Sequence, residues 1–372
     1  MNILLVVPEN LFPNNHGRVI DILSRLNLLI EQNHTVDIII TSSHTNQYND
    51  DLRQLGIRNI FFVNRSFPFK YLLGLQPYQI ASRSNLSKFD LSSHTYDRII
   101  LETIFVSDIL KAKGINKCAT IIRVHNDEVI YAKQLVKSSP SWIKKVLFTI
   151  ESYLIKKVQA NILTKASHLW FISSEEQQRL GIKHQKTNFV PPYIKSKMAK
   201  EITTTSKNVL FIGNLTTSTN INGLLWYIKN VHSQLLKCNP EYKLTIVGSC
   251  KGITPKIKYL QQMQSINVIL NIDNTDELYK NAALFINPIS FGAGLKLKTI
   301  EAIANNLPVI STPNGFEGSK IPLYKEFTFN NEDECINLIN TVINSSQLQS
   351  EILKVQKEII KKYYVYNINK YL

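Results

Sequence analysis

The residue types best suited to chemistry in this 372-residue chain gather in one stretch, Asn287–Gly318 (NPISFGAGLKLKTIEAIANNLPVISTPNGFEG). Gly292, Ala293 and Gly294 stand between an apolar run and the helix-spaced Leu297, Ile300 and Ala304. Small residues at a strand-to-helix turn let backbone N–H groups approach an anion, and the helix N-terminus adds a favourable dipole. Lys296 and Lys298 can neutralise two negative charges there. Glu301, near Lys298 at i+3, can accept both hydroxyls of a ribose. For the G-x-G pattern alone, a plain helix–sheet turn with glycine for close packing is the stronger explanation.

Further candidates lie in the first half. Ile121–Glu128 (IIRVHNDE) places His125, Asp127 and Glu128 at the end of an apolar run. The two carboxylates can orient the imidazole or bind hydroxyls, although a lone histidine at a strand end is more often structural. His16, Gly17 and Arg18 occupy the first strand-to-helix turn, and Arg18 is balanced between a solvated helix start and a phosphate contact. Ser173-Ser174-Glu175 marks another strand end or a helix cap.

These residues need elements to hold them, and strands alternate with helices almost throughout. Asn2–Val7, a helix-spaced run through Val19, Ile22, Leu26 and Leu29, and Val36–Ile40 form a strand–helix–strand unit of the parallel-sheet kind. More strands are expected at Ile60–Val63, Arg98–Leu101, Thr120–Val124, Leu169–Ile172 and Asn188–Val190. Residues 195–207 are polar and aperiodic, which predicts a linker between a domain at 1–194 and another at 208–350. The second domain restarts with Val209–Ile212, a helix at Ile221–Leu236 and Lys243–Val247. It continues with Asn267–Ile272, Leu284–Pro288, Pro308–Thr312 and Glu326–Phe329, and Asn274 with Glu277 predicts a capped helix start. Residues 351–372 read as terminal helices able to pack back on the first domain. The fold class is α/β: two Rossmann-like, doubly wound domains facing a central cleft, with ligands at the carboxyl ends of the strands.

Composition narrows the function classes. The 43 Lys+Arg exceed the 28 Asp+Glu by 15, with 23 against 15 up to position 194 and 20 against 13 beyond it. So even a spread is unlike a basic nucleic-acid arm, and no nucleic-acid partner is expected. Cys118, Cys238, Cys250 and Cys335 are far apart, which fits a reducing cytoplasm and no structural metal. No apolar run reaches the ~18–20 residues of a transmembrane helix. MNILLVVPEN lacks the basic start of a signal peptide. No P-loop, G-x-S-x-G, H-E-x-x-H or dinucleotide fingerprint is present.

The whole string from Gly292 to Gly318 closely resembles the nucleotide-sugar site of group 1 glycosyltransferases (family 4, GT-B fold). Its matching elements are Gly292 to Lys298, Glu301 to Ala304, Pro308 to Thr312 and Gly315 to Gly318. Phe211 to Leu215 followed by Asn220 resembles the loop beneath the donor phosphates, so Gly213 and Asn214 join Gly292, Ala293, Gly294, Leu295, Lys296, Lys298 and Glu301 as implied donor-binding residues. Many relatives carry a second glutamate where Ala293 stands, so the family's two-glutamate arrangement is halved here. Where relatives clamp the diphosphate with Arg and Lys, Thr216–Thr219 offers only hydroxyls, which shifts weight onto Lys296 and Lys298. On the acceptor side the resemblance implies His16, Gly17, Arg18, Asp127 and Glu128, and it implies that His125 faces the cleft as a catalytic residue together with Lys296. His34 reads as structural, with Asn33 replacing the family's glycine at a helix end.

The resemblance implies transfer of a sugar from a nucleotide diphosphate donor to a glycan or lipid-linked acceptor, with retention, no cofactor and no metal. A sugar-nucleotide epimerase or hydrolase on the same fold, and a non-catalytic polyanion binder, are the rival readings. The lysine-rich Tyr131–Lys165, with seven Lys to one Glu, bears on location. Ile143, Val146, Leu147, Ile150, Tyr153, Leu154 and Val158 form a broad stripe expected to pack on the sheet. The narrower line Phe148, Ile155, Ile162, bordered by Lys144, Lys145 and Lys156, is the one available to an anionic membrane or to a neighbouring helix. The expected location is cytoplasmic, with peripheral contact at the inner face of the membrane.

Overall fold

A computed structural model describes residues 1–12, 17–42, 49–115, 118–139, 141–180, 186–195, 206–250, 252–263, 265–272, 274–292 and 294–372. His16, Ala293 and most of the expected linker lie outside the described residues. The chain forms two compact units, one holding Arg18–Tyr193 with the strand before it and the final Asn367–Leu372, the other holding Ile194–Tyr366.

The first unit runs β1 Asn2–Val7, α1 Gly17–Glu31, β2 Thr35–Ser42, α2 Asn49–Gln54, β3 Asn59–Asn64, α3 Phe69–Leu72, α4 Tyr78–Ala81 and β4 Arg98–Leu101. It continues with β5 Ala119–Val124, α5 Glu128–Ser138, α6 Trp142–Thr164, β6 His168–Phe171, α7 Ser174–Leu180 and β7 Lys186–Phe189. Short 3₁₀ helices at Ser84–Lys88 and Ile104–Lys111 flank β4. All strands are parallel in the order β3-β2-β1-β4-β5-β6-β7. Covered on both faces, the central strands are continuous apolar runs: Ile3 to Val7 is wholly buried.

The second unit comprises β8 Asn208–Asn214, α8 Ser218–Tyr227, α9 Ser233–Cys238, β9 Lys243–Ser249, α10 Pro255–Gln261, β10 Ile266–Leu270, α11 Asp276–Lys280 and β11 Leu284–Asn287. After them come α12 Leu297–Ala304, β12 Val309–Ser311, α13 Pro313–Phe316, α14 Glu332–Ile343 and α15 Ser346–Tyr363. Its parallel sheet is ordered β10-β9-β8-β11-β12. Val209, Phe211, Ile246, Phe285, Ile300 and Ile310 centre its core, and Ile352, Leu353 and Ile360 of α15 join that core, while Asn367–Leu372 group with the first unit.

Several local expectations need correction. Glu326–Phe329 makes only an isolated bridge, Ser311 to Thr328, because the chain there turns instead of running alongside β12. The expected helix Ile221–Leu236 is interrupted by a π-helical turn at Ile228–His232. Thr275, not Asn274, is the N-cap of α11, and the Asn274 side chain instead accepts from the Asp276 N–H at 2.8 Å. Asn33 does take the glycine-like turn, with φ 61°, and His34 Nε2 lies 2.8 Å from Asn369 Oδ1.

The largest correction concerns α6. Most of the broad stripe expected to pack on the sheet is exposed: Ile143, Val146, Leu147, Ile150 and Tyr153 face solvent and Trp142 is 73% exposed, while Leu154 is buried and Val158 half-buried against the core. The narrow line turns inward instead, with Ile155 and Ile162 buried. Buried Ser152 and Gln159 explain the error, because α6 uses polar positions on its inner face.

Candidate functional site

In the second unit the loops after β8 and β11 are joined by side chains. Gly213 ends β8 where a Cβ would stand 2.9 Å from the amide of Asn220, so glycine is needed for that close approach. Asn220 donates to the Asn214 carbonyl at 2.9 Å and accepts from Lys298 Nζ at 2.8 Å. The Asn214 side chain accepts from the Thr216 N–H at 2.8 Å.

After β11, Gly292 and Gly294 adopt φ of 111° and 81°, values that other residues reach only under strain. Leu295 packs on the second core. Lys296 is the N-cap of α12 but folds its ammonium back over the turn, donating to the carbonyls of Gly292, at 3.1 Å, and Gly294. It also meets Glu317 at 3.4 Å. Lys298 lies with Nζ 4.2 Å from the Phe211 ring centroid. Burial, then the neighbouring Lys296, push its ammonium well below the usual lysine range.

The expected pairing of Lys298 with Glu301 is absent among the described residues. Burial pushes the Glu301 carboxyl up to about 7, and it accepts no hydrogen bond among them. Two lysines crowded at a helix start, and a carboxylate one turn on that has no hydrogen-bond partner among the described residues, are groups chemically suited to phosphates and hydroxyls.

The sequence reading missed the residues that hold this turn. Asn287, at the buried end of β11, donates to Thr299 at 2.9 Å and to the Gly315 carbonyl at 3.3 Å. Ser311, ending β12, donates to the Asn287 carbonyl at 3.0 Å. Their signal was present: polar residues closing otherwise apolar strands.

In the first unit a cavity of about 590 Å³ opens at the carboxyl ends of the strands. Glu9 follows β1, Arg65 follows β3, and Glu128 follows β5, while Arg18 comes from α1. Arg18 pairs with Glu9 at 3.4 Å. Glu128, only 4% exposed, accepts no hydrogen bond among the described residues, and burial lifts its carboxyl to about 7 against the pull of Arg18.

Asp127 is not brought to this cavity. It is the N-cap of α5, accepting from the Val129 and Ile130 N–H groups at 3.1 and 3.3 Å, and it pairs with Arg179 at 3.3 Å. Ser173 likewise caps the next helix, accepting from the Glu176 N–H at 3.3 Å.

His125 does not line the cavity either. It is 6% exposed, with Nδ1 3.7 Å from Asp21 and Nε2 3.7 Å from Glu102. Arg25 bridges those carboxylates, at 3.0 Å to Asp21 and 2.9 Å to Glu102, and Arg123 meets Asp21 at 3.1 Å. Burial lowers the His125 pKa, opposed by Glu102 and then Asp21. Asp21, Glu102 and His125 lie close enough to share a metal ion, with donor atoms within 4.8 Å of one another. Two guanidinium groups already compensate the carboxylates, so a cation would have to displace permanent charges. Neither Asp21 nor Arg25 stood out in the sequence, because both sit inside the helix-spaced apolar run of α1.

Comparison with known proteins places this geometry. The model of the family "Glycosyl transferases group 1" matches residues 206–343, which contain the lysine–glutamate turn. A Klebsiella pneumoniae protein described as an uncharacterized 44.6 kDa protein in cps region is 34% identical over 331 residues, spanning 85% of this chain and 84% of that one. Solved structures share the fold at low identity. TarM of S. aureus superposes with a TM-score of 0.67 at 12% identity over 97% of both chains. HepE of Anabaena, solved with UDP and glucose, gives 0.67 at 15% identity over 99% of this chain and 97% of that one. The pneumococcal O-GlcNAc transferase GtfA, solved with UDP and GlcNAc, gives 0.64 at 10% over 98% and 97%. With the family model matching 206–343, a relative 34% identical across most of the chain and a fold shared over nearly the whole length, the chain belongs to the group 1 glycosyltransferases and has the GT-B fold.

Proposed function

We propose that this glycosyltransferase moves a sugar from a nucleotide diphosphate donor, of which a UDP-sugar is the leading candidate, to a glycan or lipid-linked acceptor in surface polysaccharide or glycoconjugate assembly. The single observation that carries this reading is the gathering of Lys296, Lys298 and Glu301 at the glycine turn after β11, where Glu301 accepts no hydrogen bond among the described residues. UDP in the HepE and GtfA structures supports the nucleotide, and the cps-region description of the Klebsiella relative supports the setting.

In this reading the lysines and the turn's N–H groups hold the diphosphate, and Glu301 accepts from the ribose. The bond from the anomeric carbon to the leaving phosphate oxygen breaks while an acceptor hydroxyl oxygen bonds the same carbon on the same face. The hydroxyl proton passes to the leaving oxygen, so configuration is retained without a protein nucleophile, a cofactor or a metal. Catalysis then rests on positioning and on stabilising the departing charge, with Lys296 nearest it. Arg18 and Glu128 serve the acceptor. His125, enclosed by Asp21 and Glu102, has a positioning role behind them.

The reading includes peripheral attachment to an anionic membrane. Trp142, Ile143, Val146 and Ile150 are exposed beside Lys144 and Lys145. Among the described residues no helix is long and apolar enough to cross a bilayer.

A thermal-shift screen of UDP-, GDP- and ADP-sugars tests the donor, since ligand at 100 times Kd adds ~2.7 kcal/mol. A shift with one class is expected, and no shift with any would overturn the reading. Incubating that donor without acceptor should leave it intact over the time of a transfer assay. Rapid conversion to an isomer or free sugar would instead support an epimerase or hydrolase.

A further inference from the structure

The cavity of the first unit is divided by chemistry. One end is guanidinium-rich. Arg83, 3% exposed, donates only to neutral oxygens: the Pro8 carbonyl at 2.8 Å, Thr41 at 3.0 Å, and the Gln79 carbonyl and side chain at 2.6 and 2.8 Å. Arg65 reaches the same Pro8 carbonyl at 3.2 Å, and its Nε is buried without a hydrogen-bond partner. Among the described residues neither arginine has a carboxylate partner. Burial, then the like charge of Arg65, push Arg83 down to about 9 against the opposing pull of Glu9.

The three glutamates of the lining do not cancel this charge. Glu9 is paired with Arg18, and Glu151, on α6 between Phe148 and Ile155, is engaged by the Tyr78 and Gln79 N–H groups at 2.9 and 3.5 Å. Glu128 is the carboxylate that burial keeps partly protonated near neutrality. A buried guanidinium facing an open cavity, with no carboxylate hydrogen-bonded to it among the described residues, is a place for an anion.

The other end is hydrocarbon. Phe105, Leu135, Phe148 and Ile155 form its wall, and Tyr71, Tyr78 and Leu147 stand towards its mouth. Leu147 and Tyr78 are exposed, and further exposed apolar residues are Ile143, Val146 and Ile150 on α6 and Leu72 and Leu73 at the end of α3. An oligosaccharide could stack its C–H faces on the aromatic rings, but only a hydrocarbon chain would also use the aliphatic Leu135, Leu147 and Ile155.

We propose that the cavity is an acceptor subsite for an anionic amphiphile, with a phosphate on Arg65 and Arg83 and a hydrocarbon chain running along α5 and α6 to the exposed apolar rim. The proposal rests on the transferase reading above and gives the acceptor its chemical class: a phosphate-bearing lipid. The phosphate of a lipid and free phosphate share the arginine contacts, and only the lipid uses the wall.

Calorimetric titration of the full chain with farnesyl phosphate, inorganic phosphate and farnesol tests it. Farnesyl phosphate should bind at least tenfold more tightly than either of the others. Arg65→Gln should weaken it at least tenfold, and the exposed-site variant Leu147→Glu should weaken farnesyl phosphate while leaving inorganic phosphate unchanged. Both variants should melt within about 3 °C of wild type, which separates loss of ligand from loss of fold. Inorganic phosphate or farnesol binding as tightly as farnesyl phosphate, no binding of farnesyl phosphate, or equal affinity in Arg65→Gln would each overturn the subsite. Donor-induced thermal shifts measured on the same samples separate the two proposals. A donor shift without farnesyl phosphate binding removes the amphiphile site alone, whereas absence of any donor shift removes the transferase reading beneath it.

Discussion

Lys298 donates from Nζ to the side-chain oxygen of Asn220 at 2.8 Å while the same ammonium lies 4.2 Å above the Phe211 ring. One half-buried lysine thus ties α12 to the loop after β8, and its ammonium is held there at a desolvation cost. Lys298→Met keeps the packed stem and removes the charge. Melting of the unliganded protein should be unchanged or slightly higher, while donor affinity falls about tenfold or more, as charged hydrogen bonds contribute ~1.5–3 kcal/mol. Calorimetry beside a melting curve checks both halves.

Glu301 gives a pH signature. Its carboxyl rises from the ordinary 4.5 to about 7 in the folded protein, so the unfolded chain loses this proton first. Stability is therefore eroded as pH rises from about 4.5 to about 7, and is level above that. Glu301→Gln should stabilise the unliganded protein at pH 8 by about 1–2 kcal/mol, less than the full burial effect because the side chain is only part-buried, with the gain shrinking towards pH 5. Donor affinity should rise between pH 6 and 8 in wild type, since the ionised form binds the ribose, and should stay flat in the variant.

Asp21 carries the opposite sign. Despite its burial, Arg123 and Arg25 hold its carboxyl well below the ordinary 3.8. The stability it confers is present above pH 3.8 and is lost as pH falls towards the folded value. Asp21→Asn leaves Arg25 and Arg123 under-compensated in the core. It should cost about 3–5 kcal/mol in urea unfolding at pH 7, the penalty for breaking a buried pair.

Glu128 and His125 separate by assay. Glu128→Gln should reduce kcat/KM for the acceptor about tenfold, leaving donor affinity within error. Above pH 7, where the buried carboxyl of wild type ionises, it should raise the melting temperature slightly. His125→Ala should lower the melting temperature by several degrees, through a core defect of ~1–3 kcal/mol. A normal melting temperature with lost turnover in His125→Ala would move the histidine from support into the chemistry.

Much of this architecture was legible because parallel strands buried on both faces are unbroken apolar runs, as Asn2–Val7 and Leu284–Asn287 illustrate. The glycine–lysine–glutamate turn was legible because positive φ and a helix start restrict residue choice locally. What escaped depends on long-range pairing. Asp21 and Arg25 look like interruptions of an amphipathic helix until Glu102 and Arg123 are brought against them. The faces of α6 were assigned largely the wrong way round because Ser152 and Gln159 are buried beside Leu154, Ile155 and Ile162, Gln159 donating to Asp127 at 3.3 Å, while Ile143, Val146, Leu147, Ile150 and Tyr153 stay outside. The arginine end of the cavity joins residues after β1, β3 and α4, positions with no common motif.

The most direct test of the central claim is calorimetric titration of the stabilising nucleotide-sugar into wild type and Glu301→Ala. Alanine favours the helix and leaves the Lys296 turn in place, so the variant should fold normally. Loss of the ribose contacts should weaken donor binding about tenfold to a hundredfold, the ~1.5–3 kcal/mol of hydrogen bonds to a charged acceptor. Equal donor affinity in a folded Glu301→Ala protein would contradict the assignment of this turn as the donor site.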